Sequence, residues 1–512
     1  MALNATLPTP SISNSSNSTN QLTGWVSSDN SRGSIDILWS CCVTIILCCW
    51  VSTLPNIPSL NDKWYHPWVD KFNLACIGIV SPDMLFGMAL GQLSSARRSV
   101  KMFRALPRLP SDKKWTLMHG FFADMGGFHL VSPDYPAFPV NAEELHYLIK
   151  HGHVDFPDLG KLDIKALNKT DGLSRFIVSW QVFWFSVSEL QRVRQGLPMT
   201  TFELTALSFA LTTLATSICW YAKPAVSRPT MLYTKDGRTV ESIRAAARAS
   251  THPGLSSAWY RTPLDFISPY RRFGPAVHWA YYEQLTYRAH IPVFGREVKS
   301  RPWDRIPSDA WLVVSERPLL IPIFLLSVGF SAVPLAAWNF HFSTWGEKIT
   351  WRACSVYNTF YSTALIIYYV HGTFQVLAAA SAAGAPAAQS SACSPGVPQT
   401  TTTDRPELSQ PNPHKNLRNV ETCVALSENE AAPSRLRRLA QRGKRLRQRL
   451  RNISPDGDPD MELGLRMTFP PFVGALFYFG CRLFFYVEDF VSIREQPVGV
   501  YQGVNKFLPF IS

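Results

Sequence analysis

Residues 37–54, ILWSCCVTIILCCWVSTL, run for 18 positions without a charge, and no other feature constrains the chain as much. A bilayer core about 30 Å thick asks for about 20 mostly apolar residues in a helix rising 1.5 Å per residue. Only helices and closed barrels satisfy backbone polar groups in lipid, whereas core helices of soluble proteins are amphipathic and broken by charge. The first apolar stretch covers 35–54, and comparable ones recur at 72–96, 202–222, 319–338 and 353–380. Two are weaker: 176–190 is short and 469–487 contains Arg482. The expected fold is an all-α membrane protein with about seven transmembrane helices, a small cytosolic loop subdomain and a disordered basic insert.

Only 17% of the 512 residues are charged, against roughly 25% in a soluble domain. Apolar and polar blocks alternate. A disordered polar tail (1–34) precedes the first two spans (35–96), a cytosolic loop subdomain (97–173), and spans three and four (174–222). There follow a basic, aromatic-rich cytosolic loop (223–318), spans five and six (319–380), the insert (381–466), and the last span with its tail (467–512).

The loops 97–173 and 223–318 and the insert carry 11, 15 and 13 of the 50 Lys and Arg residues. Retention of such charge on the cytosolic side orients the chain, and Arg97, Arg98, Lys101 and Arg104 sit directly at a span's end. Seven crossings would then place the N-terminus in the cytosol too. The tail argues the other way: Asn4, Asn14 and Asn17 each head a glycosylation sequon, which matters only in a lumenal segment. A lumenal tail requires that one of the first two segments not fully cross. No basic start followed by an early apolar run marks a cleavable signal peptide.

Eight of the ten cysteines lie in apolar segments, and none falls in the loops 97–173 and 223–318, so neither a disulfide framework nor a zinc ribbon is expected. Cys41 with Cys48, and Cys42 with Cys49, repeat at one helix face, which suits close packing of small residues, with palmitoylation the alternative. The insert is poor in aromatics and rich in Pro, Ser, Thr and Ala, too little apolar surface to fold alone. Its segment 434–451 differs: Leu436, Leu439, Ala440, Gly443, Leu446 and Leu450 share a helix face, with Arg435, Arg437, Arg438, Lys444, Arg445 and Arg449 elsewhere. Arg447 intrudes on the apolar face; a basic amphipathic helix of this kind beside a membrane points to anionic lipid of the cytoplasmic leaflet as partner, with a calmodulin-type target the alternative. No nucleic acid, cofactor or metal is expected.

Two sets of residues could carry chemistry. Asp83, behind Pro82 in the second apolar stretch, and Arg482 in the last are ionisable groups at membrane depth, where exposure to lipid costs several kcal/mol. They are either a functional pair or a buried structural one. His119 and Asp124 in WTLMHGFFADMGGF have the H-x4-D spacing of some acyltransferases, in which a carboxylate orients a basic histidine, although twelve histidines generate that spacing readily. His129 would complete a metal triad of no standard spacing. Glu203 heads an apolar helix, where the dipole alone favours an acid, and Glu488 and Asp489 close the last span. Asn141 with Glu144 forms a capping box. H-E-x-x-H, G-x-S-x-G, Walker and G-x-G-x-x-G signatures do not occur. The expected function is non-enzymatic, of a transporter, channel or receptor kind; the alternative is an intramembrane enzyme acting on lipid or acyl substrates with His119 as base.

The ordered motifs SPDMLFGMALGQLSSARR, WTLMHGFFADMGGF, GLPMTTFEL with WYAKP, AAWNFHF and VYQGVNKFLPFIS resemble a group of fungal multi-pass integral membrane proteins with no assigned activity. The resemblance runs over 35–512 without the insert. The group often has Leu-Met-Gly-Gly after HGFFA, so Asp124 is a departure that weakens the H-x4-D reading, whereas Pro82 with Asp83 matches its Pro-acid pair.

Overall fold

The computed structural model describes residues 21–28, 32–106, 114–168, 172–267, 274–291, 293–310, 314, 316–384 and 464–503, with scattered positions between 442 and 462. The helices are α1 (Ser34–Val51), α2 (His66–Val80), α3 (Pro82–Arg104), α4 (Leu117–Asp124), α5 (Ala142–Lys150), α6 (Lys161–Ala166) and α7 (Gly172–Arg194). They continue with α8 (Thr201–Cys219), α9 (Val240–Ser250), α10 (Gly274–Arg288), α11 (Leu320–Ala336), α12 (Trp345–Gly384) and α13 (Leu465–Val491). The strands are β1 (Gln21–Thr23), β2 (Phe128–Val131), β3 (Phe138–Val140), β4 (Thr230–Tyr233) and β5 (Glu495–Pro497).

Among the described residues four helices are long and apolar enough to cross a membrane: α1, α8, Arg317–Asn339 around α11, and Thr468–Arg494 around α13. The count becomes five if α2 and α3, which meet at a 120° bend, make one broken span. The seven spans expected from sequence are therefore too many. The stretch 72–96 is not one helix, because Pro82 bars the α conformation at the preceding residue and Ser81 sits at φ −151°, ψ 81°. The stretches 176–190 and 353–380 do form helices, α7 and α12, but Ser, Gln and charge in the one and Tyr, Ser and Thr in the other dilute their apolar character.

These helices are packed with small and polar side chains inward. Cys41, Thr44, Cys48 and Cys49 of α1 are buried, as are Ala206, Ser208, Ala210, Thr212 and Thr216 of α8; Ile37 and Cys41 share a core with Phe202 and Ala206. Ile46, Leu211, Ile218, Ile321, Leu325, Phe360 and Phe477 point outward and exposed. A water-soluble bundle would have the opposite arrangement; lipid tails exert no hydrophobic drive between helices, and close approach of small residues takes over.

The bundle has two distinct ends. At one, Ser34 meets Tyr501 (Oγ to hydroxyl 3.4 Å), Thr201 meets Ser492 (3.1 Å), and β1 pairs antiparallel with β5, Gln21 opposite Pro497. At the other, Asn56 binds Ser308 and the Pro307 carbonyl, Arg296 bridges Asp62 and Asp70, and Lys101 pairs with Glu316. Residues before α2 and at the end of α3 thus contact the same 296–316 segment, so this helix pair enters the bundle and returns.

At that second end the loops 97–173 and 223–318 fold together. β2 pairs antiparallel with β3 and parallel with β4, Phe128 lying between Val140 and Thr230 in register. One core holds Phe103, Trp115, Phe122, Phe128, Leu145 and Leu148 from the first loop and Leu232, Val240, Ile243 and Leu264 from the second. The subdomain is α/β, a departure from an all-α fold. Gly126, at φ +84°, turns the chain from α4 into β2, and a Cβ on Gly127 would collide with Phe122. The end of the insert also docks here: Tyr281 donates to the Leu450 carbonyl (2.7 Å), Arg288 to that of Ile453 (2.6 Å), and Ile453 is buried.

Candidate functional site

Where α2 meets α3, Pro82 removes one backbone donor and Ser81 leaves the helical conformation, so α2 ends inside the bundle while α3 begins there. The first-turn position of Asp83 sets its carboxylate at the positive end of α3, where Ser81 Oγ donates to Oδ1 at 2.6 Å. Arg482 of α13, 3% exposed, faces this break. Its Nη2 donates to the Tyr486 hydroxyl at 2.9 Å, which in turn donates to the Ile79 carbonyl, an acceptor near the C-terminus of α2. The guanidinium lies 4.8 Å from the Phe330 ring centre, 5.2 Å from that of Tyr486 and 5.8 Å from that of Phe209. An aromatic face stabilises a desolvated cation by about 2 kcal/mol.

Among the described residues no ion pair within 4.0 Å joins Asp83 to Arg482, but their charges act on each other, and both act on Tyr478. The two residues singled out from sequence therefore belong to one cluster with Ser81, Tyr478 and Tyr486. A void of about 10 Å³ beside it, lined by Cys48, Ser52, Pro82 and Thr213 among others, has room for about one water.

The second candidate set has a different geometry. His119 Nδ1 lies 2.6 Å from Thr116 Oγ1 at the N-terminus of α4, and Nε2 lies 2.8 Å from the Leu159 carbonyl. Both ring nitrogens are engaged, and His119 ties the 159 loop to α4 instead of facing a cleft. Asp124 Oδ1 accepts from the backbone N–H of Ala142 at 3.2 Å, holding the start of α5. Burial pushes the Asp124 carboxyl up to about 7 and lowers the His119 imidazole. His129, also buried, is depressed to about 4. No group of three or more His, Cys, Asp or Glu among the described residues could hold a metal ion. The acyl-transfer reading thus lacks an available base.

A third cluster was not legible as a site. Arg32, Glu189, Arg192 and Glu203 meet at the end of the bundle where β1 pairs with β5. Arg32 pairs closely with Glu203, while Arg192 Nε lies 3.8 Å from Glu189 and 3.9 Å from Glu203. Arg192, 2% exposed, also donates to the Pro198, Val500 and Gln502 carbonyls at 2.9–3.0 Å. A cavity of about 540 Å³ opens beside the cluster, walled by Arg32, Asp36, Trp180, Trp184 and Glu189. The only sequence signal was Glu203 after Thr200, which the dipole explains alone; its carboxylate does accept from Thr200 N at 2.8 Å. Nothing in one dimension brings 32, 189 and 203 together.

Of the insert's basic residues, Lys444 is helical and exposed. Arg435, Arg437, Arg438, Arg445 and Arg449 lie outside the described residues, as do Asn4, Asn14 and Asn17.

Residues 6–256 match a family of unknown function, DUF8562. The matched half contains the broken α2–α3 pair, Asp83 and most of the α/β subdomain, whereas Arg482 lies outside it. No curated protein matches the chain, and no solved structure does.

Proposed function

We propose that this chain is a multi-pass integral membrane protein of non-enzymatic type, a channel- or transporter-like conduit whose working element is the α2–α3 hairpin. The observation that carries the reading is the break at Pro82, which ends one helix and starts another within the bundle, with Asp83 at the new N-terminus and Arg482 facing it. Interrupted backbone at membrane depth is tolerated only where protein or water satisfies it, and half-helix ends of this kind bind ions and charged groups in transporters. In this reading α1, α8, α11 and α13 cross, the less apolar α7 and α12 run between the same two ends of the bundle and bring the crossings to six, and the α2–α3 hairpin is re-entrant. The even number of crossings leaves the paired strands β1 and β5 on one side and the basic α/β subdomain on the other, in the cytosol. That arrangement reconciles the basic loops with the sequons of the tail.

The test uses the full chain in proteoliposomes, with dye-reported fluxes of protons, K⁺ and Cl⁻ and labelling of Ser81→Cys by a membrane-impermeant thiol reagent above the wild-type background. The expected result is flux of one of these ions that Asp83→Asn lowers about tenfold, a barrier change near 1.4 kcal/mol, with Ser81→Cys reactive from one side. Liposomes as tight as protein-free ones, together with an inert Ser81→Cys, would sink the reading.

A further inference from the structure

The end of α3 carries a second site that neither the hairpin nor the insert uses. Arg97, Lys101 and Arg104 follow one another at helical spacing down one side of α3, and Lys114, on a different segment, closes over the same space. With Val100, Trp115, Thr116, Leu117 and Glu316 they wall a cavity of about 560 Å³. Four cations meet one acid there. Glu316 pairs with Lys101 and lies 4.0 Å from Arg97, leaving a surplus of positive charge on the wall.

Basic residues in a last helical turn are expected from the dipole alone. That explanation covers Lys101 and Arg104, but not Arg97, almost two turns from the end, nor Lys114, which is on no helix. The wall is also held in place: Trp115, beside Lys114, stacks on Phe103 at a ring separation of 3.9 Å and donates to Ser99 Oγ at 3.1 Å. Arg97 and Lys101, though both face Glu316, remain 46% and 70% exposed, so each keeps charged surface open to a ligand.

We propose that this cavity binds a phosphate-bearing headgroup of an anionic lipid in the leaflet facing the α/β subdomain. The inference rests on the membrane reading above, because α3 must leave the bilayer at this level. Charge gives affinity for phosphate, while Val100, Leu117 and the edge of Trp115 supply an apolar flank for the first part of an acyl chain. Basic pockets at the cytoplasmic side of a membrane bind anionic lipid headgroups through this charge.

Binding is measured on the purified full chain in nonionic detergent with three probes: dioctanoyl phosphatidic acid, dioctanoyl phosphatidylcholine and inorganic phosphate. The short-chain anionic lipid is expected to bind saturably, and the Arg97→Gln/Arg104→Gln variant about tenfold more weakly. Arg98→Gln, whose side chain pairs with Glu143 at 2.8 Å outside the cavity, is the control and should bind like wild type. Phosphatidylcholine should not saturate. Inorganic phosphate binding as tightly as the lipid would overturn a lipid source in favour of a soluble anion. Equal binding by wild type and the double variant, with unchanged thermal melting of both, would overturn the site itself. Ion flux is not read in this assay, so failure here and failure of the hairpin reading are separate results.

Discussion

Asp124 and Glu144 show what single residues contribute to the subdomain. Both carboxyls are raised by burial, to about 7 and about 8, while Asp124 accepts from Ala142 N and Glu144 from Asn141 N. A carboxyl whose folded pKa lies above its unfolded value keeps its proton in the folded state when the unfolded chain has lost it, so stability falls as pH rises through that interval. His129, depressed to about 4, acts with the opposite sign, but only below its unfolded value near 6.5. Between pH 6.5 and 8 the carboxyls therefore act unopposed by His129. Thermal melting in detergent should show about 1–2 kcal/mol lost across that window. The Asp124→Asn/Glu144→Gln variant, which keeps the acceptor atoms, should show a shallower fall in melting over the same window. A wild-type profile flat from pH 6.5 to 8 would contradict the argument.

At the scale of elements, the α2–α3 pair is held at its base by Lys223, just past α8. Its ammonium, 2% exposed, donates to the Leu54 carbonyl at 2.8 Å, to Gln92 Oε1 at 3.0 Å and to Asn56 Oδ1 at 3.2 Å. Trp220 lies beneath it at 4.7 Å and donates to the same Gln92 oxygen. The WYAKP motif thus joins the exits of α1 and α8 to the middle of α3. Lys223→Met conserves length but leaves buried acceptors without their cation, a loss of about 3 kcal/mol. It should lower the melting temperature by several degrees, and an unchanged melt would show that the hairpin is anchored elsewhere.

Across the whole molecule, the prediction is topological. Strand β1 pairs with β5 at the end of the bundle opposite the α/β subdomain, so the tail before Gln21 starts from that side. With the subdomain cytosolic, glycosidase treatment of the expressed protein should shift its mobility, and replacing Asn4, Asn14 and Asn17 by Gln should abolish the shift. A tail that stays unmodified, together with protease cleavage of the subdomain in sealed vesicles from outside, would reverse the orientation.

Sequence alone determined what depends on local composition: apolar stretches long enough to cross, the Asn141–Glu144 capping box, and the cost that marks Asp83 and Arg482 as noteworthy. It overcounted the spans because hydropathy averages over Pro82, where the backbone breaks, and over the polar residues that dilute α7 and α12. Long-range pairing was out of reach. The sheet that unites residues 128–131 with 230–233, and the meeting of Arg32 with Glu189, Arg192 and Glu203, depend on where whole helices lie, and no local pattern encodes that. His119 shows the same limit in reverse: its spacing from Asp124 suited catalysis, and tertiary packing gave its two nitrogens to Thr116 and Leu159. At the α2–α3 break, a steric conflict at the residue before Pro82 disfavours the helix, and tertiary packing turns that local interruption into a 120° change of direction.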